Sequence, residues 1–123
     1  MRKPELSQAS NVDLVSEFVE ICKREKEDLD EEDLVKYGRL LKRQMAIVEE
    51  LKGRPGDQRQ VLVRLYDHED IVVRLMSSRM TLALEPVRAR ATLEAIYNAK
   101  MPPYSFDAGM TLGMLDEGMF TPT

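Results

Sequence analysis

The most informative stretch of the chain reads Leu65-Tyr66-Asp67-His68-Glu69-Asp70-Ile71-Val72-Val73-Arg74, continuing to Ser77-Ser78 and Leu82. Val61, Leu62, Leu65 and Tyr66 recur at helical spacing and predict a short helix over about 57–67, with Asp57 and Gln60 as its cap and N3 pair. The acidic turn His68-Glu69-Asp70 follows, and Asp70 is placed to cap a helix over about 70–84. Val72, Val73, Met76, Met80, Ala83 and Leu84 line one face of it, and Leu75 and Leu82 a second. A helix apolar on two sides is sandwiched between neighbours. Arg74 can pair back to Asp70, four positions earlier, while Ser77 and Ser78 let an adjacent helix approach closely.

The pattern continues on both sides. Toward the N-terminus, Leu34, Tyr37, Leu41, Met45, Val48 and Leu51 form a stripe at steps of three and four. It predicts a long helix over about 31–52, opened by Asp30 and Asp33 and stopped by Gly53 and Pro55-Gly56. Before it, Ser10 and Asp13 cap a helix over about 11–28 carrying Leu14, Val15, Phe18, Val19, Ile21 and Cys22. The run Glu25 to Asp33 reads as a solvated junction, with Glu31, Glu32 and Asp33 in a helix's first turn, where the macrodipole favours acids. Toward the C-terminus, Pro86 fits the first turn of a helix reaching about residue 99, with Ala89, Leu93, Ile96 and Tyr97 as its core face. Met101 to Phe106 reads as a break, and Asp107 as the cap of a last helix ending near Leu115, with Gly118 beyond it. No segment alternates with the period of two that a half-buried strand requires.

Composition agrees with one small all-α domain spanning residues 1–123. The chain is 43% hydrophobic and 33% charged, with no Trp and eight Met. A single cysteine excludes an intrachain disulfide and fits a reducing compartment. Met1-Arg2-Lys3-Pro4-Glu5 leads into no apolar signal region, and no apolar run approaches the ~20 residues of a membrane span. A cytoplasmic location is expected. The net charge is −4, but its distribution is uneven. Residues 54–101 hold eight Lys/Arg, seven of them Arg, against six acids, whereas 102–123 hold three acids and no base.

The Leu65–Leu82 segment resembles a HEAT repeat: a helix ending in Leu, an acidic turn, Val-Arg and two small residues. Ser77-Ser78 stands where Ala-Ala is usual. A second, degenerate unit would begin 37 residues later at Asp107, with Gly109 and Gly113 where helices cross closely. The whole chain also resembles a small bacterial family of unknown function, the domain-of-unknown-function family numbered twenty-nineteen. The cues are Arg74-Leu75 leading to Thr81-Leu82-Ala83-Leu84-Glu85-Pro86, and Asp107-Ala108-Gly109-Met110-Thr111-Leu112 followed by Leu115-Asp116-Glu117-Gly118-Met119-Phe120. The resemblance implies an armadillo-like helical fold, and with the helices read above the expectation is about six helices in antiparallel pairs, in a short HEAT-like or armadillo-like right-handed stack. It implies no activity.

Residues that could carry chemistry have plainer readings. His68 is the lone histidine, in a turn beside Asp67, Glu69 and Asp70, and one imidazole does not make a His-based metal site. Cys22 lies on an apolar stripe, where a thiol is inert. Asp116 and Glu117 are neighbours about 100° apart on a helix, which suits a helix end or partner contact better than paired acid–base work. No Gly-rich phosphate loop is present. No catalytic, cofactor or metal site is therefore expected, and an enzyme is the least favoured class.

Two features have functional colour. Met101, Met110, Met114 and Met119, with Tyr104 and Phe106 among them, read first as core packing and second as an adaptable partner surface. Arg74, Arg79, Arg88 and Arg90 read first as a solvated face and second as one interface ridge. Candidate partner contacts are Arg74, Arg79, Arg88, Arg90, Tyr104, Phe106, Asp116 and Glu117. The expectation is a protein-binding, scaffold or regulatory module, a role that accommodates neutralising a bacterial toxin. The alternative is a nucleic-acid binder using the Arg-rich face. A homodimer is an even alternative to a monomer.

Overall fold

In the computed structural model, residues 5–30 and 34–123 are described, the side chains of 28–30 excepted. The described residues form five α-helices: α1 (Asn11–Asp30), α2 (Leu34–Gly53), α3 (Ile71–Met80), α4 (Pro86–Asn98) and α5 (Tyr104–Asp116). A 3₁₀ segment, Leu6–Gln8, precedes α1, and a second, Gln58–Asp67, lies between α2 and α3. Among the described residues there is no strand. The chain divides into two compact units, Met1–Val61 and Leu62–Thr123.

In the first unit α1 packs against α2. Ser10 Oγ accepts the Asp13 backbone N–H at 3.1 Å, so the expected cap is made. Leu14, Phe18, Ile21 and Cys22 are buried, as is Glu25, which the sequence reading placed in a solvated run. Asp30 ends α1 rather than opening α2. Glu31, Glu32 and Asp33 lie outside the described residues. On α2 the buried residues are Leu40, Gln44, Ile47, Val48 and Leu51. The expected stripe is therefore corrected: Val48 and Leu51 belong to the core, while Leu34 and Met45 are exposed and Leu41 is half-buried. The polar Gln44 masked the true face, and it is seated by donating to Cys22 Sγ at 3.2 Å.

Arg54 ties the unit together. It donates to the Leu6 and Ala9 carbonyls at 2.9 and 2.7 Å and to Asn11 Oδ1 at 2.8 Å. Asn11 in turn donates to Gln58 Oε1 at 3.1 Å. Arg43 adds a two-pronged bond to Glu17, at 2.5 and 2.9 Å, which holds its guanidinium more firmly protonated still.

The segment expected as a helix over 57–67 is a ten-residue 3₁₀ helix, Gln58–Asp67. Asp57 enters it with φ +50°, a left-handed conformation that Asp tolerates better than most residues. Its carboxylate accepts the Arg59 backbone N–H at 3.3 Å and the guanidinium at 2.9 and 2.6 Å. Arg59, rather than Gln60, thus completes the turn. These bonds hold the Asp57 carboxyl below the usual carboxylate range.

In the second unit α3 packs on both α4 and α5, and α4 packs along α5. Asp70 caps α3 by accepting the Val72 and Val73 N–H groups at 2.8 and 3.2 Å. Its carboxylate is occupied there, so the expected Arg74–Asp70 ion pair is replaced by a cap. α3 stops at Met80, short of the expected residue 84. Ser77, Ser78 and Thr81 are buried. Ser78 Oγ returns its proton to the Arg74 carbonyl at 2.7 Å, and Thr81 Oγ1 to the Ser77 carbonyl at 2.7 Å. Bonded in this way, the hydroxyls present small, satisfied surfaces to the adjoining helices. The Tyr66 hydroxyl donates to Thr81 Oγ1, and burial pushes its phenol up.

Pro86 stands at the first position of α4, as expected. α5 begins at Tyr104, three residues before the expected cap; Pro103 is its N-cap and Asp107 lies inside its first turn. Ser105, buried, couples the two helices by accepting the Met101 N–H at 2.6 Å and donating to the Ile96 carbonyl at 2.7 Å.

Candidate functional site: the outer face of α4 and α5

Helix α5 is apolar nearly all the way round. Tyr104, Ala108 and Leu112 turn inward and are buried. Phe106 and Met110 turn outward and remain 68% and 52% exposed, beside Tyr97 of α4 at 53%. Met101 and Met119 are exposed as well. The expectation that the methionines fill the core is thus corrected, because α5 meets other helices on its inner side only.

Two grooves flank Phe106 and Met110. The larger, about 650 Å³, is lined by Arg90, Tyr97, Gly109, Gly113 and Asp116 among others. Gly109 forms its floor under Tyr97. A Cβ there would stand 2.9 Å from two atoms of the Tyr97 ring, so only glycine lets the ring lie on α5. At its rim Arg90 donates to Glu94 Oε1 at 2.9 Å and bridges to Asp116 at 2.9 Å. Those bonds keep the Asp116 carboxyl below its ordinary range and raise the Arg90 guanidinium. The smaller groove, about 430 Å³, is lined by Arg79, Asp107, Met114 and Phe120 with the shared Phe106 and Met110.

The four arginines do not form one ridge. Arg79 and Arg90 line different grooves of this face. Arg74 borders a third cavity of about 300 Å³ with Tyr66, Asp67, Thr92 and Ala95, its Nε buried without a hydrogen-bond partner. Arg88 stacks on the Tyr66 ring, 5.8 Å from its centroid. Tyr104 is buried and is not a surface contact. Glu117 is the exposed C-cap of α5. Of the candidate contacts, the structure brings together Arg79, Arg90, Phe106 and Asp116. It adds Tyr97, Asp107 and Met110. Sequence reading assigned Tyr97 to the core and Asp107 to a cap. The signal available was the apolar character of α5 on every side.

The other candidate groups have local roles. His68 Nδ1 accepts the Asp70 backbone N–H at 3.0 Å, so its lone pair serves the turn. Cys22 is buried. Among the described residues no His, Cys, Asp and Glu side chains gather as a metal would require. No helix among the described residues is long and apolar enough to cross a membrane.

Comparison with known proteins gives the same picture of an all-α chain. The model of the family described as Domain of unknown function (DUF2019) matches residues 12–116. The crystal structure of the protein RPA1889 from Rhodopseudomonas palustris CGA009 is similar over 98% of this chain and 100% of that one, at 39% identity and a TM-score of 0.94. No curated protein matches the chain.

Proposed function

The chain belongs to the family described as Domain of unknown function (DUF2019), and we propose that it is a non-catalytic protein-binding module whose contact surface is the outer face of α4 and α5. One observation carries this reading: Phe106 and Met110 stand in solvent between two grooves, with Tyr97 exposed in the larger, although each is a side chain that burial stabilises. Clustered exposed apolar side chains rimmed by charge mark interaction sites. Aromatic residues, Met and Arg are the types enriched at such sites. In this reading α3, α4 and α5 act as a short HEAT-like stack that offers a broad face to a scaffold or regulatory partner.

The same geometry favours a protein over a nucleic acid. Arg90 spends its charge on Glu94 and Asp116, Arg88 lies over the Tyr66 ring, and Arg79 lines an apolar groove. Phosphate tracking requires several cations that are free and aligned.

Affinity capture from native lysate at low and moderate salt tests the proposal, with wild type compared against Phe106→Asp/Met110→Asp. A protein retained by wild type at moderate salt and lost by the double variant is expected. Equal recovery by both, or recovery of nucleic acid alone at low salt, overturns it. A circular dichroism spectrum matching wild type establishes that the variant is folded.

A further inference from the structure

We infer that the occupant of the α4–α5 face is a second copy of this chain, related by a two-fold axis that brings Arg79 of each copy to Asp107 of the other. The inference rests on the reading of this face as a protein contact, and it names the partner.

Arg79 is the first reason. It lines the smaller groove against Phe106, Met110 and Met114, and its Nε is buried without a hydrogen-bond partner. Its Nη1 finds only the thioether of Met76, at 3.8 Å, which is a weak acceptor. A guanidinium among apolar side chains calls for a carboxylate, because a buried donor left unmade is costly. Asp107 lines the same groove and is exposed. Among the described residues neither makes an ion pair. An unpaired Arg and an unpaired Asp on one self-facing surface are what a two-fold axis satisfies twice, since residue i meets j and j meets i.

The second reason is Gly113. It is exposed in the body of α5, and a Cβ added there would meet nothing within 4 Å. Glycine weakens a helix relative to alanine. No contact among the described residues requires it. Close approach of another backbone does. Gly113 borders the larger groove, one turn beyond Gly109, so a second α5 can cross there.

The third reason is extent and charge. At about 200 Å² per large side chain, Tyr97, Phe106 and Met110, with the edges of Met114 and Phe120, leave roughly 400 Å² of apolar surface open. One side of a standard homodimer interface contributes roughly 500 Å² of apolar area. The charged groups lining the grooves nearly cancel: Arg79 and Arg90 stand against Glu94, Asp107 and Asp116. A copy facing itself therefore meets little like-charge repulsion.

Sedimentation velocity on the full chain across a concentration series tests this. Wild type is expected to sediment as a dimer. Arg79→Asp and Asp107→Arg, each alone, are expected to be monomers at concentrations where wild type is dimeric, because each places two like charges across the axis. An equimolar mixture of the two variants is expected to recover the dimer, because both crossed pairs are then of opposite sign. Gly113→Ala is expected to weaken the dimer by about tenfold, in the manner of a lost interface anchor, with thermal stability of the monomer undiminished. A wild type that is monomeric throughout, a dimer indifferent to both reversals, or a mixture that stays monomeric overturns the inference. A monomeric wild type that still retains a different protein through Phe106 overturns the second-copy inference alone. Loss of both signals overturns the protein-binding reading too.

Discussion

The α1–α2 hairpin and the α3–α5 unit both bury apolar helix faces, but the polar side chains they bury among them are of different kinds. The first unit buries long ones: Gln44 and Glu25 within its helices, and Arg59, held by Asp57, in the segment that follows. Arg54 and Arg43 bridge its segments. The second unit relies on short hydroxyls, with Ser77, Ser78, Thr81, Ser105 and Thr111 all buried. Those of Ser77, Ser78, Thr81 and Thr111 return their protons to carbonyls of the same helix, three or four residues back. The lesson concerns sensitivity. Long charged bridges respond to pH and carry side-chain entropy, whereas hydroxyls bonded to the backbone respond to neither pH nor salt and let helices come close.

The comparison can be broken at its shared foundation first. Phe18 and Leu93 are both fully buried, one in each unit. Phe18→Ala is expected to cost about 3–5 kcal/mol and Leu93→Ala about 2–5 kcal/mol. Urea unfolding followed by circular dichroism measures both, and losses below 1 kcal/mol would contradict the packing described. Next, Arg54→Met removes the donor that two backbone carbonyls share. A loss of about 1.5–3 kcal/mol is expected, as for hydrogen bonds to a charged group. Ser105→Ala removes the matching device of the second unit and leaves the Met101 N–H without its acceptor, for about 1–3 kcal/mol. If Ser105→Ala is neutral, the hydroxyl coupling of α4 to α5 is not what holds them in register.

Acid sharpens the contrast further. The folded Asp57 carboxyl titrates below its unfolded value, so its stabilisation is fully present above about pH 4. That stabilisation is lost as pH falls through the depressed folded value. Wild type is expected to lose more stability than Asp57→Asn between about pH 5 and pH 3, because only the wild-type carboxylate must take up a proton on unfolding in that range. Parallel losses in the two proteins would remove Asp57 as the source. Asp116 shifts in the same direction, but its pair with Arg90 is open to solvent, and moderate salt is expected to flatten its contribution. The smallest effect is a gain: Gly113→Ala is expected to stabilise the isolated chain by roughly 0.5–1 kcal/mol, read as a rise in urea midpoint.

Much of the architecture was legible in the sequence, and the failures have physical causes. The caps at Ser10 and Asp70 and the Pro86 start were readable because each is a local bond or a local dihedral. The face of α2 was misread because two stripes compete, and the one with fewer apolar residues contains Gln44. Its burial depends on a thiol 22 residues away, which periodicity does not report. The start of α5 was misplaced because Asp107 looks like a cap, while Pro103 takes that position. The surface was half legible. Phe106 and Asp116 were named from composition and position. Met110 was named too, as core first and as an adaptable surface second; whether a helix apolar on all sides is covered depends on how many helices surround it, so that choice, and the exposure of Tyr97, could only be made in three dimensions.

Cys22 offers a use that none of these roles suggests. It is the chain's one thiol, it is shut inside the α1–α2 hairpin, and Gln44 lies across its sulfur. A thiol reagent can reach it only when the hairpin opens. The rate of labelling under native conditions is therefore a clock for local opening of this unit alone. Tracked against urea, that clock reports whether the hairpin breathes independently or opens only when the whole chain unfolds, and it requires no engineered probe.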